Sequence, residues 1–205
     1  MRPGRSLHAP GALAAVILLG AVVMPARATV MVEVPIEEMA RQADGIVHGR
    51  VTRTGTRMVV RDGSLDPHTL VWIRVDRWLA GSGGGEVVVR ELGGVGEVTA
   101  LGRDGAPRYE AGEEVVAFLE PHAGGMRTLA MAQGKFTVVR GRPDEPARVR
   151  RDLRGIGFAR FDAKGTTVED APRHPTMPFD ELVRVIELAR GQRGATGGSD
   201  GEGAK

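Results

Sequence analysis

The 205-residue chain contains no cysteine. That absence removes disulfides and thiolate metal sites together. Other reactive side chains are few. Beyond residue 28 the serines are Ser64, Ser82 and Ser199. Neither of the first two stands in G-x-S-x-G, because Asp62 and Ala80 occupy the leading glycine position. The histidines of the same region are His48, His68, His122 and His174, far apart and without the H-x-H or H-x-x-x-H spacing of paired metal ligands. Gly134-Lys135 resembles the end of a phosphate loop, but Phe136 replaces the Ser/Thr and Leu129 the first glycine. The glycine run 81–85 leads from one strand pattern into another, so no helix N-terminus follows it to face a phosphate. No catalytic, cofactor or metal site is expected from these motifs. With only eight aromatic residues, the core needs both tryptophans, Trp72 and Trp78.

What is present begins with an export signal. Arg2 and Arg5 precede an apolar run over 11–24, and Pro25-Ala26-Arg27-Ala28 supplies an A-x-A end. The run is shorter than the roughly 20 residues of a spanning helix. Cleavage is expected after Ala28, leaving no membrane span and a secreted or periplasmic product. No cysteine follows the run, which excludes a lipid-anchored lipoprotein. Of the 28 basic residues, Arg2, Arg5 and Arg27 leave with the signal and no acid does, so the formal charge of +2 becomes −1. Lysine occurs only at 135, 164 and 205, and the arginines alternate with acids. Even the densest group, Arg148, Arg150, Arg151 and Arg154, has Asp144, Glu145 and Asp152 among it. Nucleic-acid binding wants a patch of one sign, and none is seen.

The remaining residues are enough for one domain of ordinary size, with an adequate core and no cross-links. Residues 35–43 read as a short helix with Pro35 at its start, Glu37 and Glu38 at the positive end and Gly45 as a stop. A strand or extended lead-in covers 30–34. From 45 to 139 the pattern is strand and turn: 46–52, 56–60 (continuing the first or starting a partner strand), 69–79, 86–92, 114–120, 126–132 and 135–140, with a short strand at 97–101 inside a glycine-dotted loop. Asp62-Gly63-Ser64 and Asp66-Pro67 carry turn chemistry. The prediction is mainly β: a small antiparallel barrel of OB type over 45–140, with a short N-terminal helix, or alternatively a β-sandwich. Leu153, Ile156, Phe158 and Phe161 are expected to pack on the barrel. A C-terminal amphipathic helix over 178–190 has Phe179, Leu182, Val183, Ile186 and Ala189 on one face and stops at Gly191. The glycine-rich tail 191–205 has nothing to bury and reads as disordered.

Five strings occur in order: Ala43-Asp44-Gly45-Ile46-Val47-His48-Gly49-Arg50-Val51, Val89-Arg90-Glu91-Leu92-Gly93-Gly94, Gly105-Ala106-Pro107-Arg108-Tyr109-Glu110-Ala111-Gly112-Glu113-Glu114-Val115, Phe118-Leu119 and Ala132-Gln133-Gly134-Lys135-Phe136. Together they resemble a module of unassigned function found in exported bacterial proteins, over about residues 30–140. The resemblance implies an extracytoplasmic home and no particular activity. A more distant likeness is to the netrin-like domains, including tissue inhibitors of metalloproteinases. Those inhibitors ligate zinc through an N-terminal cysteine that this chain lacks, so that activity is not implied.

Three functional expectations follow. The first is a non-catalytic exported binding module for a protein or glycan partner. The second is a hydrolase-type enzyme with a dispersed acid/base site using His48, His68 or His122 and a carboxylate. The third is a structural envelope protein engaged through a sheet edge. In a regular strand, Trp72 and Trp78 lie on one side with Arg74 and Asp76, opposite Val71, Ile73 and Val75. That side is either a binding face or covered core. Glu113-Glu114 reads as the rim of a hairpin. Expression in a bacterial host with its export machinery intact is expected to yield a product beginning at Thr29, read by intact mass; retention of residues 1–28 would refute the signal.

Overall fold

The computed structural model describes residues 29–61, 63–93, 105–163, 165–172 and 174–196. The export signal expected over 1–28, the strand expected at 97–101 and the tail end 197–205 lie outside the described residues.

Five strands close a ring. They are β2 (Gly45–Arg61), β3 (Ser64–Ala80), β4 (Glu86–Leu92), β5 (Glu114–His122) and β6 (Gly125–Thr128), where β1 (Thr29–Met31) precedes them in the chain. β2 pairs antiparallel with both β3 and β5, β3 with β4, and β5 with β6. A parallel contact between β4 and β6, Val89 opposite Met126, completes the circle. This is the small OB-like barrel the alternating pattern predicts. Val47, Val51, Val71, Ile73, Val89, Val115, Ala117 and Leu119 fill it, with Tyr109 from the preceding loop. Three register shifts along β2, at 46/47, 48/49 and 51/53, mark bulges that curl the sheet. At Gly49 the neighbouring strand comes so close that a Cβ would sit 2.2 Å from the Arg74 carbonyl oxygen.

β5 is buried on both faces. Val115, Ala117 and Leu119 look into the barrel, while Val116 and Phe118 join a second core with α1 (Ile36–Gln42) and α2 (Phe179–Thr196). Met39, Ala40 and Ala43 meet Leu182, Ile186 and Ala189 in that core, and Arg190 Nη1 donates to the Ala43 and Ala40 carbonyls at 3.0 and 3.4 Å. One edge of β5 is shared. Its second half pairs with β6, its first half with β7 (Lys135–Val139). β7 continues outward to β8 (Arg148–Arg150) and then β11 (Thr176–Pro178). The switch from β6 to β7 is a tight 3-10 turn at Met131–Gly134, entered through Ala130 and Met131 at φ 54° and 56°, a region side-chain-bearing residues visit at a cost. Gly134 is required in this turn, since a Cβ there would lie 2.1 Å from the Leu129 carbonyl oxygen.

A separate small sheet joins β1 to β9 (Ile156–Asp162) and β9 to β10 (Gly165–Asp170). All six residues of β10 are exposed, and its outer edge pairs with no described strand. Gln133 ties this layer to the turn: its Oε1 accepts from Val34 N–H at 2.9 Å and its Nε2 donates to the Val32 carbonyl at 3.0 Å.

Several expectations change. The segment 56–60 continues 46–52 in one strand, the first of its two expected courses, whereas Asp66-Pro67 lies within β3 opposite Val59 and Met58 rather than in a turn; proline is tolerated near a strand's start. Leu153, Ile156 and Phe158 are buried with Met31, Ala132 and Ala171 against the small sheet, not in the barrel core. Phe161 is 69% exposed, because it falls on the outer parity of β9. The C-terminal helix passes Gly191 and ends at Thr196, so 191–196 are helical rather than part of a structureless tail; an interior glycine costs a helix only about 1 kcal/mol. No helix among the described residues is long and apolar enough to cross a membrane.

Replacing Gln133 by leucine leaves Val34 N–H and the Val32 carbonyl without their partner. It is expected to lower stability by about 2 kcal/mol, measured as a shift of the urea midpoint at unchanged m-value.

Candidate ligand-binding cavity

The parallel contact that closes the barrel is a single pair, Val89 opposite Met126. Beyond it β4 and β6 no longer pair, and the opening between them is a cavity of about 270 Å³. Leu92, Ala106, Pro107, Ala130 and Met131 give it apolar walls; His68, Arg90, Glu91, Glu120, His122, Arg127 and Thr128 add polar groups. Val87 and Val89 point inward, and Glu91 continues their parity to the end of the strand. A carboxylate therefore occupies the position where the pattern calls for another valine.

Glu91 is 7% exposed. Its Oε1 accepts from Thr128 N–H at 2.9 Å and from Thr128 Oγ1 at 2.6 Å, so the side chain does at this point what a neighbouring strand's carbonyl would have done. Thr128 Oγ1 also lies 2.7 Å from the hydroxyl of buried Tyr109. The single Thr128 hydroxyl hydrogen goes to Glu91, so Tyr109 is the donor of that second bond. Burial and the nearby Glu91 charge keep the phenol well above its ordinary value, hence protonated. Burial likewise pushes the Glu91 carboxyl up to about 7, against the opposing Thr128 hydrogen bonds. Oε2 makes no hydrogen bond among the described residues and is not sealed from the cavity.

The histidines separate into three places. His68, 6% exposed, and His122 line this same cavity. His48 is elsewhere: its Nε2 is 2.8 Å from Glu114 Oε1, and its ring packs against Phe179 at 4.9 Å between centroids, tilted by 55°. Arg140 completes that cluster, and its guanidinium is the chief reason the Glu114 carboxyl is held down at about 2. His174 faces Asp152 in a polar cleft of about 300 Å³ between β7, β8 and the loop before β5. There Lys135, 4% exposed, donates to both Glu113 oxygens at 3.0 and 2.9 Å and to Thr137 Oγ1 at 2.8 Å. All three ammonium protons are engaged, so this lysine is a structural anchor. Glu113 and Glu114, read as a hairpin rim, instead hold the Lys135 and the His48–Arg140 groups. Among the described residues no cluster of three or more His, Asp or Glu is placed to hold a metal.

The tryptophans do not form one face. A register shift between His48 and Gly49 leaves Asp76 unpaired opposite β2, and the alternation of β3 reverses there. Trp78 packs with the barrel cluster against the backbone of Gly45 and Gly83, donating from its indole nitrogen to the Gly84 carbonyl at 3.2 Å. Trp72 stays outside with the Arg53 guanidinium 3.9 Å above its ring. Neither lines the cavity. Glu91 escaped the sequence reading although a signal existed, since an acid on the inward parity of Val87 and Val89 breaks the apolar alternation.

The fold and site define a small OB-like barrel with a ligand-sized cavity at its parallel seam. No protein-family model, curated protein or solved structure matches the chain. The likeness to exported bacterial modules and netrin-like domains therefore rests on the quoted strings alone.

Because its folded value is raised from 4.5 to about 7, Glu91 favours folding while protonated and opposes it once ionised. Its penalty is absent at acid pH, grows from about 4.5 to 7 and is complete above that. Glu91→Gln, which keeps the Oε1 acceptor and cannot ionise, is expected to gain on the order of 3 kcal/mol over the wild type between pH 5 and 8. Parallel stability–pH curves for the two proteins over that range would refute the assignment.

Proposed function

We propose that the chain is an exported, non-catalytic binding module that takes a small ligand into the seam cavity of its barrel. One observation carries the reading: an apolar-walled opening of about 270 Å³ holds, at its closed side, a carboxyl group with one oxygen fixed by Thr128 and the other available. Apolar walls with a few convergent polar groups and a displaced titration are the usual marks of a small-molecule site. The location fits the architecture, since in OB barrels the second and third strands and the adjoining hairpin loops are the binding region. Here these correspond to β3, β4 and the β5–β6 hairpin that carries His122. The N-terminal signal supports export, which would place the cavity in the periplasm or outside the cell.

The acid/base reading has its own support, because His68, His122 and Glu91 share the cavity. It differs in what happens to the ligand. A binding module returns its ligand unchanged; an enzyme does not.

The test is a thermal-shift screen of small amphipathic compounds, repeated on Ala106→Trp, which places an indole in the cavity mouth. Compounds that raise Tm in the wild type are expected to lose the effect in the variant and to be recovered intact by mass spectrometry. Shifts that persist in Ala106→Trp would move the site elsewhere, and conversion of a bound compound would favour the enzyme.

A further inference from the structure

The cavity wall contains two arginines and two acids, but they are not interchangeable. Arg127 Nε donates to Glu120 Oε1 at 2.6 Å, so that pair is internally neutral. Arg90 Nη1 is directed to the Ala123 carbonyl at 3.4 Å, at the hairpin turn. Glu91 has no cation within ion-pair distance among the described residues; its partners are the amide and hydroxyl of Thr128. Both of these donors go to Oε1. The carboxyl plane is thereby held, with Tyr109 bracing Thr128 from behind at 2.7 Å, and Oε2 remains for an incoming group.

We propose that the ligand is an aliphatic organic cation, with a primary or secondary ammonium on Glu91 Oε2 and a hydrocarbon body against Leu92, Ala106, Pro107 and Met131. The proposal rests on the cavity being the binding site and adds the chemical class. A desolvated carboxylate without a direct ion-pair partner is costly even with Arg127 acting on it from a distance, and an ammonium that enters the same enclosed space offsets that cost more strongly than a neutral donor can. The ammonium donates N–H to Oε2 while Oε1 keeps its two bonds, so nothing in the protein must rearrange. A carboxylate or phosphate ligand would face Glu91 with like charge and find Arg127 already engaged. The apolar walls contribute through buried hydrocarbon.

The groups facing Glu91 set the pH behaviour. Among the described residues they are His68 from β3, Arg90 from β4, Glu120 and His122 from β5, Arg127 from β6, and Tyr109 from the loop before β5. Binding of a cation needs the ionised carboxylate. Acidification neutralises Glu91 and removes the charge that holds the cation, so affinity falls as pH drops below about 7.

The test is calorimetric titration of the mature protein with n-hexylammonium, n-hexanol and n-hexanoate at pH 8 and pH 6, using wild type, Glu91→Gln and Ala106→Trp. Hexylammonium is expected to bind the wild type at pH 8 at least tenfold more tightly than hexanol. At pH 6 its affinity should fall by about tenfold, while that of hexanol holds. In Glu91→Gln the amine should lose its advantage and hexanol binding should persist, which shows that the cavity is intact. Hexanol binding as tightly as the amine, or amine binding unchanged by Glu91→Gln, overturns the cation assignment and leaves the cavity as a site. Failure of all three probes to bind, or binding that survives Ala106→Trp, overturns the cavity reading as well.

Discussion

Thr128 presents a backbone N–H toward a strand that has already diverged from it, and the Glu91 side chain is what meets it. Barrel closure depends on that substitution. A parallel seam with one ladder pair would otherwise leave strand donors facing an apolar gap, and an unmatched buried amide costs about as much as a lost hydrogen bond. Supplying a carboxylate satisfies the amide and creates a different problem, a desolvated acid near the barrel interior. The two effects are inseparable. The group that holds the seam together is also the one that gives the opening its chemistry.

The remainder of the architecture serves to keep that seam where it is. β5 is the shared wall of two cores, one inside the barrel and one beneath the helices, and its side chains alternate between them. The same strand lends one edge to two partners, which obliges the chain to turn sharply between β6 and β7. The positive φ values at Ala130 and Met131 are the local expression of this demand. Both residues form part of the cavity wall, so backbone strain and the open site share a cause: β6 must be drawn toward β4 while β7 is carried away.

The barrel was legible because its strands alternate and the turns from β2 to β3, β3 to β4 and β5 to β6 are short. The five ring strands all lie within 45–139, where the period-two pattern is strong. The helices were legible for a similar reason, with Leu182, Ile186 and Ala189 at helical spacing. Strands β8 to β11 were not. β8 and β11 have three residues each and β10 is exposed throughout, while the pairings of β8 with β11 and of β9 with β1 join segments well separated in the chain. The tryptophan face failed at one residue: a bulge at Asp76 reverses the parity on which Trp78 was placed. The cavity had a different obstacle. Glu91 and Thr128 are 37 residues apart, and His68 and His122 join them only when the ring closes. No local motif marks this grouping, because topology makes it.

The outer edge of β10 bears on how the molecule behaves in company. A row of unsatisfied main-chain groups invites a neighbour to add a strand, yet this strand is only six residues long and carries Glu169 and Asp170 at its end. Two copies aligning antiparallel would bring the acids of each against the glycine and threonine start of the other, while a parallel, in-register stack would set acid upon acid. Parallel stacking is thus opposed by electrostatic repulsion, and that opposition weakens as dissolved salt screens the charges.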